Sequence, residues 1–270
     1  MAKPQHMELG EGRNITRIPI LYEDRSVMAI DKPAGWLLVP FSWQRTQRNL
    51  QAAVTSSISA GHFWARSRNL KFLRHVHRLD GDTSGILLFA KSLGAVDTYS
   101  DLFETRQMEK TYLVVVHGVP KQTEWTCTAK LASDPQQVGR MRVDNKEGKD
   151  CETSFRVRDT NGTWSLVEAF PVTGRTHQIR VHLLDSGHAV VGDDYYGPDA
   201  GDGHKHLPPQ RTPYPLGLRA ATLAYFDPFL RKNTRIKAPM DDFITAFGFQ
   251  PPPKPTKPEA RTGPHLKTEN

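Results

Sequence analysis

The sequence predicts an α+β protein with a mixed, mainly antiparallel central sheet flanked by helices. Three observations predict it. Short apolar runs rich in β-branched and aromatic residues recur from Ile18 to Phe226. Gly, Pro and acidic clusters punctuate those runs, as turns between strands require. Only a few segments carry helical spacing, so strands are joined by both tight turns and helices, and a doubly wound repeat is not expected.

Residues 1–17 are polar and read as a flexible N-terminal segment, ahead of a single catalytic domain over 18–249. In the first unit, Ile18 to Lys32, the turn Glu23-Asp24-Arg25-Ser26 separates Ile20-Leu21-Tyr22 from a strand at Val27 to Ile30. Pro33 lacks a backbone donor and Gly35 permits a sharp turn, so the strand stops there. Asn49 to Ile58 has the Ala content and apolar spacing of a short amphipathic helix.

Phe63 to Arg74 interleaves aromatic and cationic side chains. It reads either as a phosphate-facing loop beside a cleft, or as a loop whose aromatics anchor to the core while its arginines face water.

A strand at Gly85 to Ala90 precedes a helix at Ala95 to Gln107. A further strand at Thr111 to Val116 ends at Gly118 and Pro120. Strands are expected at Thr123 to Leu131, Cys151 to Val157 and Trp164 to Ala169. Thr176 to Ser186 is the best local helix, with Ile179, Leu183 and Leu184 on a buried side and Gly187 as its stop. Asp193 to Tyr214 reads as a polar surface excursion. Leu216 to Phe226 returns to an apolar pattern, and Met240 to Phe249 reads as the last packed helix. The Pro- and Lys-rich stretch 250–270 is expected to be a flexible tail.

At 270 residues the chain can bury a substantial core, since single cores stop growing near roughly 250 to 300 residues. The formal charge of +7 favours a polyanionic partner. Two cysteines, Cys127 and Cys151, make neither a disulfide framework nor a cysteine zinc cluster, and free thiols in a reducing compartment are expected. No signal-peptide core and no membrane-length apolar run is present, so a soluble cytoplasmic protein is expected.

The stretch His77-Arg78-Leu79-Asp80-Gly81-Asp82-Thr83-Ser84-Gly85 places a carboxylate and compact turn residues directly before an apolar strand. Read alone, Asp80 either pins a turn through backbone N–H bonds or serves a site. Arg180 decides between these if its helix brings it to Asp80, because a nearby guanidinium keeps a buried carboxylate ionised. Tyr112 reads either as a ring capping a core face or as a platform for a base with its hydroxyl near a sugar. Lys110 and Arg175 are phosphate candidates. His177 and His182 read as orienting groups rather than metal ligands.

These motifs resemble those of the RluA-type pseudouridine synthases. The resemblance rests on His77 to Asp80 with Thr83 to Gly85, on Lys110-Thr111-Tyr112, on Gly174-Arg175-Thr176-His177-Gln178-Ile179-Arg180 with His182, and on Leu216 to Pro228, all in family order. It implies isomerisation of selected uridines in structured RNA, with no cofactor and no metal.

Asp80 is then the nucleophile, Tyr112 lies against the target base, and Arg180 stands beside Asp80. Leu218 borders the uracil, and His77, Arg78, Thr83, Lys110, Arg175, His177 and Gln178 are implied substrate contacts. Arg219 occupies a position where many relatives have histidine. No separate small RNA-binding domain is read ahead of Ile18, which shifts target selection onto the catalytic surface, including the basic loop after Phe63.

Large-subunit ribosomal RNA is the expected target and transfer RNA the alternative, for a chain acting as a monomer. A binding protein without turnover and a metal-dependent nuclease are the competing functions.

Overall fold

The computed structural model describes residues 3–10, 15–38, 48–198 and 214–252. Its first half contains β1 (His6–Leu9), β2 (Thr16–Glu23), β3 (Val27–Lys32), α1 (Leu50–Ser59), α2 (Phe63–Arg66), β4 (Arg74–His75), β5 (Ser84–Ala90), α3 (Leu93–Glu104) and β6 (Glu109–His117). Its second half contains β7 (Glu124–Cys127), β8 (Leu131–Ser133), β9 (Met141–Val143), β10 (Thr153–Thr160), β11 (Trp164–Pro171), α4 (Gln178–Asp185), β12 (Leu218–Asp227), β13 (Lys232–Lys237) and α5 (Asp241–Ala246).

Eleven of these strands form one sheet in the order β1-β2-β3-β5-β12-β6-β11-β10-β7, with β4 on β5 and β13 on β12. β8 and β9 form a separate ribbon. The fold is α+β with a mixed, mainly antiparallel sheet.

The one parallel junction among the described ladders lies at the centre, where Arg219 pairs Ser84 and Ala220 pairs Gly85. Gly85 permits that junction. Its φ is +108°, and a Cβ there would lie 2.3 Å from the Ala220 carbonyl oxygen, so any other residue forces the two backbones apart.

β5 is covered on both faces, which is why it reads as a continuous apolar run rather than an alternating one. β6 shows the opposite logic. Val114 and Val116 pack with Ile179 and Leu183 of α4, whereas Leu113 and Val115 pack with Ile244 and Phe247 around α5. A strand's period of two thus sets one helix on each side of the sheet.

Several sequence expectations are corrected here. Part of the segment expected to be flexible is ordered: His6–Leu9 pairs with β2, because Met7 and Leu9 bury fully against the core. Within the expected loop, Phe63–Arg66 forms a helical turn with Trp64 buried. Arg68 neither faces water nor meets the cleft. Its guanidinium holds Glu23 at 2.8 Å and the Trp64 and Pro4 carbonyls.

Thr123 to Leu131 divides between β7 and β8, and β4, β9 and β13 add strands that were not read. Cys127 and Cys151 are buried free thiols. Most of the tail and of the polar excursion, 253–270 and 199–213, lies outside the described residues.

Candidate active site

One strand register gathers the motifs. Gly85 of β5 pairs Ala220 of β12, which pairs Tyr112 of β6, so the residues just before β5, the start of β12 and the early part of β6 meet at one end of the sheet. α4 crosses this end. The result is a cleft of about 550 Å³ lined by Asp80, Tyr112, Lys110, Leu218, Arg180 and their neighbours. Such a volume lies within the range of small-ligand pockets.

Arg180 is the electrostatic hub. Its Nε and Nη2 each donate at 2.7 Å to the two oxygens of Asp193, while Nη1 reaches Asp80 Oδ2 at 3.3 Å. Asp193 is buried and also accepts the backbone N–H groups of Tyr195 and Tyr196. The guanidinium is therefore locked by a bidentate fork, with a third donor left for Asp80. Burial opposes its charge, but the Asp193 hydrogen bonds prevail and its pKa rises.

His177 stands on the same side, with Nε2 at 3.9 Å from Asp80 Oδ2 and Nδ1 at 2.8 Å from the Tyr196 hydroxyl. Burial lowers its pKa, with Asp80 opposing. Tyr112 remains a neutral phenol because burial, and then the Asp80 charge, raise its pKa.

A buried lysine ties the Asp80 turn to the sheet. Lys32 donates to the carbonyls of Gly81 at 2.7 Å, Thr83 at 2.8 Å and Pro33 at 3.1 Å. Desolvation draws its pKa down to about 8, against the pull of Asp82 and Asp80. Gly35 N–H also donates to Gly81 O. Behind the turn, Arg219 donates to Asp31, Ser84 and Pro239. Arg219 is thus a buried support rather than a cleft group.

The other expected site residues divide clearly. Leu218, Arg78, Lys110 and Arg175 line the cleft. Lys110 donates to Thr173 O at 3.0 Å, and burial lowers its pKa to about 8. His77 also lines the cleft, but its Nε2 accepts the Leu88 N–H and its ring stacks on Phe103. Burial holds its pKa down to about 3, so it stays neutral.

Gln178 lines the cleft too, with its polar atoms taken up inside the protein. Its amide donates to Glu152 O and Thr153 Oγ1, and its oxygen accepts from Thr173 Oγ1 and Arg175 N. Thr83 is buried, at 2 % exposure, in the cleft wall.

Lys32, Asp193 and Tyr196 were not singled out from sequence, and neither were Phe103 and Arg106 on the cleft wall. The sequence pattern puts Asp193 in a surface excursion, whereas the fold buries it. The local signal was weak, because the partner of Asp193 is 13 positions away.

The family model for RNA pseudouridylate synthase matches residues 26–185. Ribosomal large subunit pseudouridine synthase C of Salmonella typhimurium is 37% identical over 235 residues, which cover 83% of this chain and 67% of that protein. Its Escherichia coli counterpart is 37% identical over 233 residues, covering 83% and 66%. The chain thus spans about two thirds of the length of these curated relatives.

The solved structure of human RNA Pseudouridylate Synthase Domain Containing 4 superposes with a TM-score of 0.65 at 22% identity, covering 84% of this chain and 90% of that one. The human Domain Containing 1 protein gives 0.64 at 23%, covering 86% of each. The sheet therefore has the fold of the pseudouridylate synthase domains. The chain belongs to the RNA pseudouridylate synthase family, in its RluA-type branch. The family's reaction is the isomerisation of uridine to pseudouridine in RNA.

Proposed function

We propose that this chain isomerises uridine to pseudouridine in large-subunit ribosomal RNA, with Asp80 as the nucleophile. One observation carries the assignment of Asp80: its carboxylate borders a nucleotide-sized cleft, and a buried guanidinium meets one of its oxygens, Oδ2. The names of the curated relatives support the ribosomal target, and the positive charge of the chain agrees with a polyanionic substrate.

A base inside a helix is out of reach, so the target uridine must leave its stack. Tyr112 and Leu218 then face the uracil, while Arg78, Lys110, Arg175 and Arg106 meet flanking phosphates.

Asp80 promotes cleavage of the N1–C1′ bond, either by attacking C1′ or by assisting loss of the C2′ proton toward a glycal. The freed uracil rotates within the cleft and its C5 bonds to C1′, displacing the Asp80 carboxylate from C1′ on the attack route. The C5 proton then leaves, N1 takes up a proton, and on the glycal route C2′ regains its proton. No atom is added overall and no redox change occurs. Arg180 supports the charge on Asp80, and Tyr112, a neutral phenol, relays the sugar proton.

The test incubates purified protein with large-subunit ribosomal RNA and with transfer RNA, each tritiated at uracil C5. Tritium released from the ribosomal transcript, with pseudouridine at a single mapped position, supports the reading. Release from transfer RNA alone replaces the target. Tight binding without release from either RNA indicates a binding protein, and strand breaks without release indicate a nuclease.

A further inference from the structure

Tyr196 has a buried side chain whose hydroxyl makes two hydrogen bonds and touches neither Arg180 nor Asp193 through them. The Met141 backbone N–H of β9 donates to it at 2.8 Å. Its oxygen lies 2.8 Å from His177 Nδ1. A hydroxyl has one hydrogen to give. The oxygen also has a second lone pair, so this contact fits either His177 tautomer; where the hydroxyl gives its hydrogen to Nδ1, the neutral imidazole carries its own hydrogen on Nε2.

His177 sits at the start of α4 with φ 53°, a left-handed conformation uncommon for a residue other than glycine. It directs Nε2 toward Asp80 Oδ2 at 3.9 Å. That is the same oxygen that Arg180 Nη1 meets at 3.3 Å.

We propose that Tyr196 is a positioning residue. Its hydroxyl fixes the His177 tautomer, so that Arg180 Nη1–H holds Asp80 Oδ2, the His177 Nε2–H faces the same oxygen from 3.9 Å, and Oδ1 is left to face the substrate sugar. Asp80 then enters the reaction with one oxygen restrained and the other directed, and the β8–β9 ribbon is coupled to the site through Met141. The inference rests on the assignment of Asp80 as the reacting carboxylate.

The first test needs no turnover. In protein labelled with 15N at histidine, the His177 signals, assigned by their loss in His177→Gln, report which ring nitrogen is protonated. Wild type is expected to show the Nε2–H form at neutral pH, and Tyr196→Phe a mixture or the Nδ1–H form. Phenylalanine keeps the ring that Arg180 faces at 5.0 Å, so only the hydroxyl is lost. An Nδ1–H signal in wild type, or an unchanged Nε2–H signal in the variant, overturns the proposal.

The second test is kinetic. Loss of a hydrogen bond that orients a charged group gives a fall in kcat of about tenfold in Tyr196→Phe, with little change in KM. In a His177→Gln background, where the glutamine amide supplies the donor without a tautomer to set, Tyr196→Phe is expected to have no further effect. An equal fall in both backgrounds indicates a packing role and refutes the relay. If wild-type protein forms no pseudouridine, the functional assignment fails while the tautomer measurement still judges the relay.

Discussion

Replacing Asp193 by Asn tests how the site is held, because it changes one atom of a buried carboxylate and keeps its volume. Among the described residues, Asp193 Oδ1 accepts from Arg180 Nη2 and from the N–H groups of Tyr195 and Tyr196, whereas Oδ2 accepts from Arg180 Nε–H. The best orientation for Asn keeps its oxygen in the first position. Its NH2 then faces Arg180 Nε–H, donor against donor, across 2.7 Å.

One charge-assisted hydrogen bond is lost, at about 1.5 to 3 kcal/mol, and the buried guanidinium keeps only the partly exposed Asp80 as counter-charge. Breaking a buried ion pair on one side costs about 3 to 5 kcal/mol in comparable cases. Urea unfolding of the variant should therefore show a stability loss in that range at unchanged m-value. Arg180 is also expected to shift toward Asp80, and tritium release should fall at temperatures where the variant stays folded. A loss under about 1 kcal/mol would refute the view that this fork is what fixes Arg180.

Three further outcomes follow from single contacts. Gly85→Ala should fail to fold or lose several kcal/mol by thermal melting, since its Cβ meets the Ala220 backbone at 2.3 Å and a buried strand junction has little room to relax, on the order of 1 to 3 kcal/mol for overpacking alone. His77 is held neutral down to about pH 3 by burial, from an ordinary value of 6.5. Between these values the unfolded chain binds a proton that the folded chain does not, so stability falls as pH drops through the window. His77→Gln keeps an acceptor for Leu88 N–H and should reduce the slope of stability against pH by up to about 1.4 kcal/mol per pH unit, measured by urea unfolding at pH 4 to 6. Tyr112→Phe keeps the ring and should lower kcat at least about tenfold with KM little changed, if the hydroxyl relays a proton in the rate-limiting step. Equal kcat confines Tyr112 to stacking.

The parts of the fold that sequence exposed are those set by local pattern. β5, α1, α3, β6, β11 and α4 announce themselves by apolar runs, periodicity and a Gly stop, and Asp80 stands out as an acid at a strand entrance. The parts that stayed hidden depend on distant partners.

Met7 and Leu9 look like isolated apolar residues in a polar segment until β2 lies beside them. Asp193 looks like a loop acid until Arg180 forks onto it, and Lys32 looks like the end of a strand until three carbonyls surround its ammonium. Gln178 shows the opposite case. It lies in the motif that carries Arg180 and on the cleft wall, but its amide atoms are taken up by Glu152, Thr153, Thr173 and Arg175, which the local sequence does not announce.

In the proposed reaction the Asp80 carboxylate performs the chemistry while the surrounding cleft binds the uridine. Asp80→Asn measures it most directly, with RNA binding and C5 tritium release followed on the same transcript. Binding within a few-fold of wild type and no detectable tritium release are expected. Release at a rate near wild type, with pseudouridine at the same position, would contradict it.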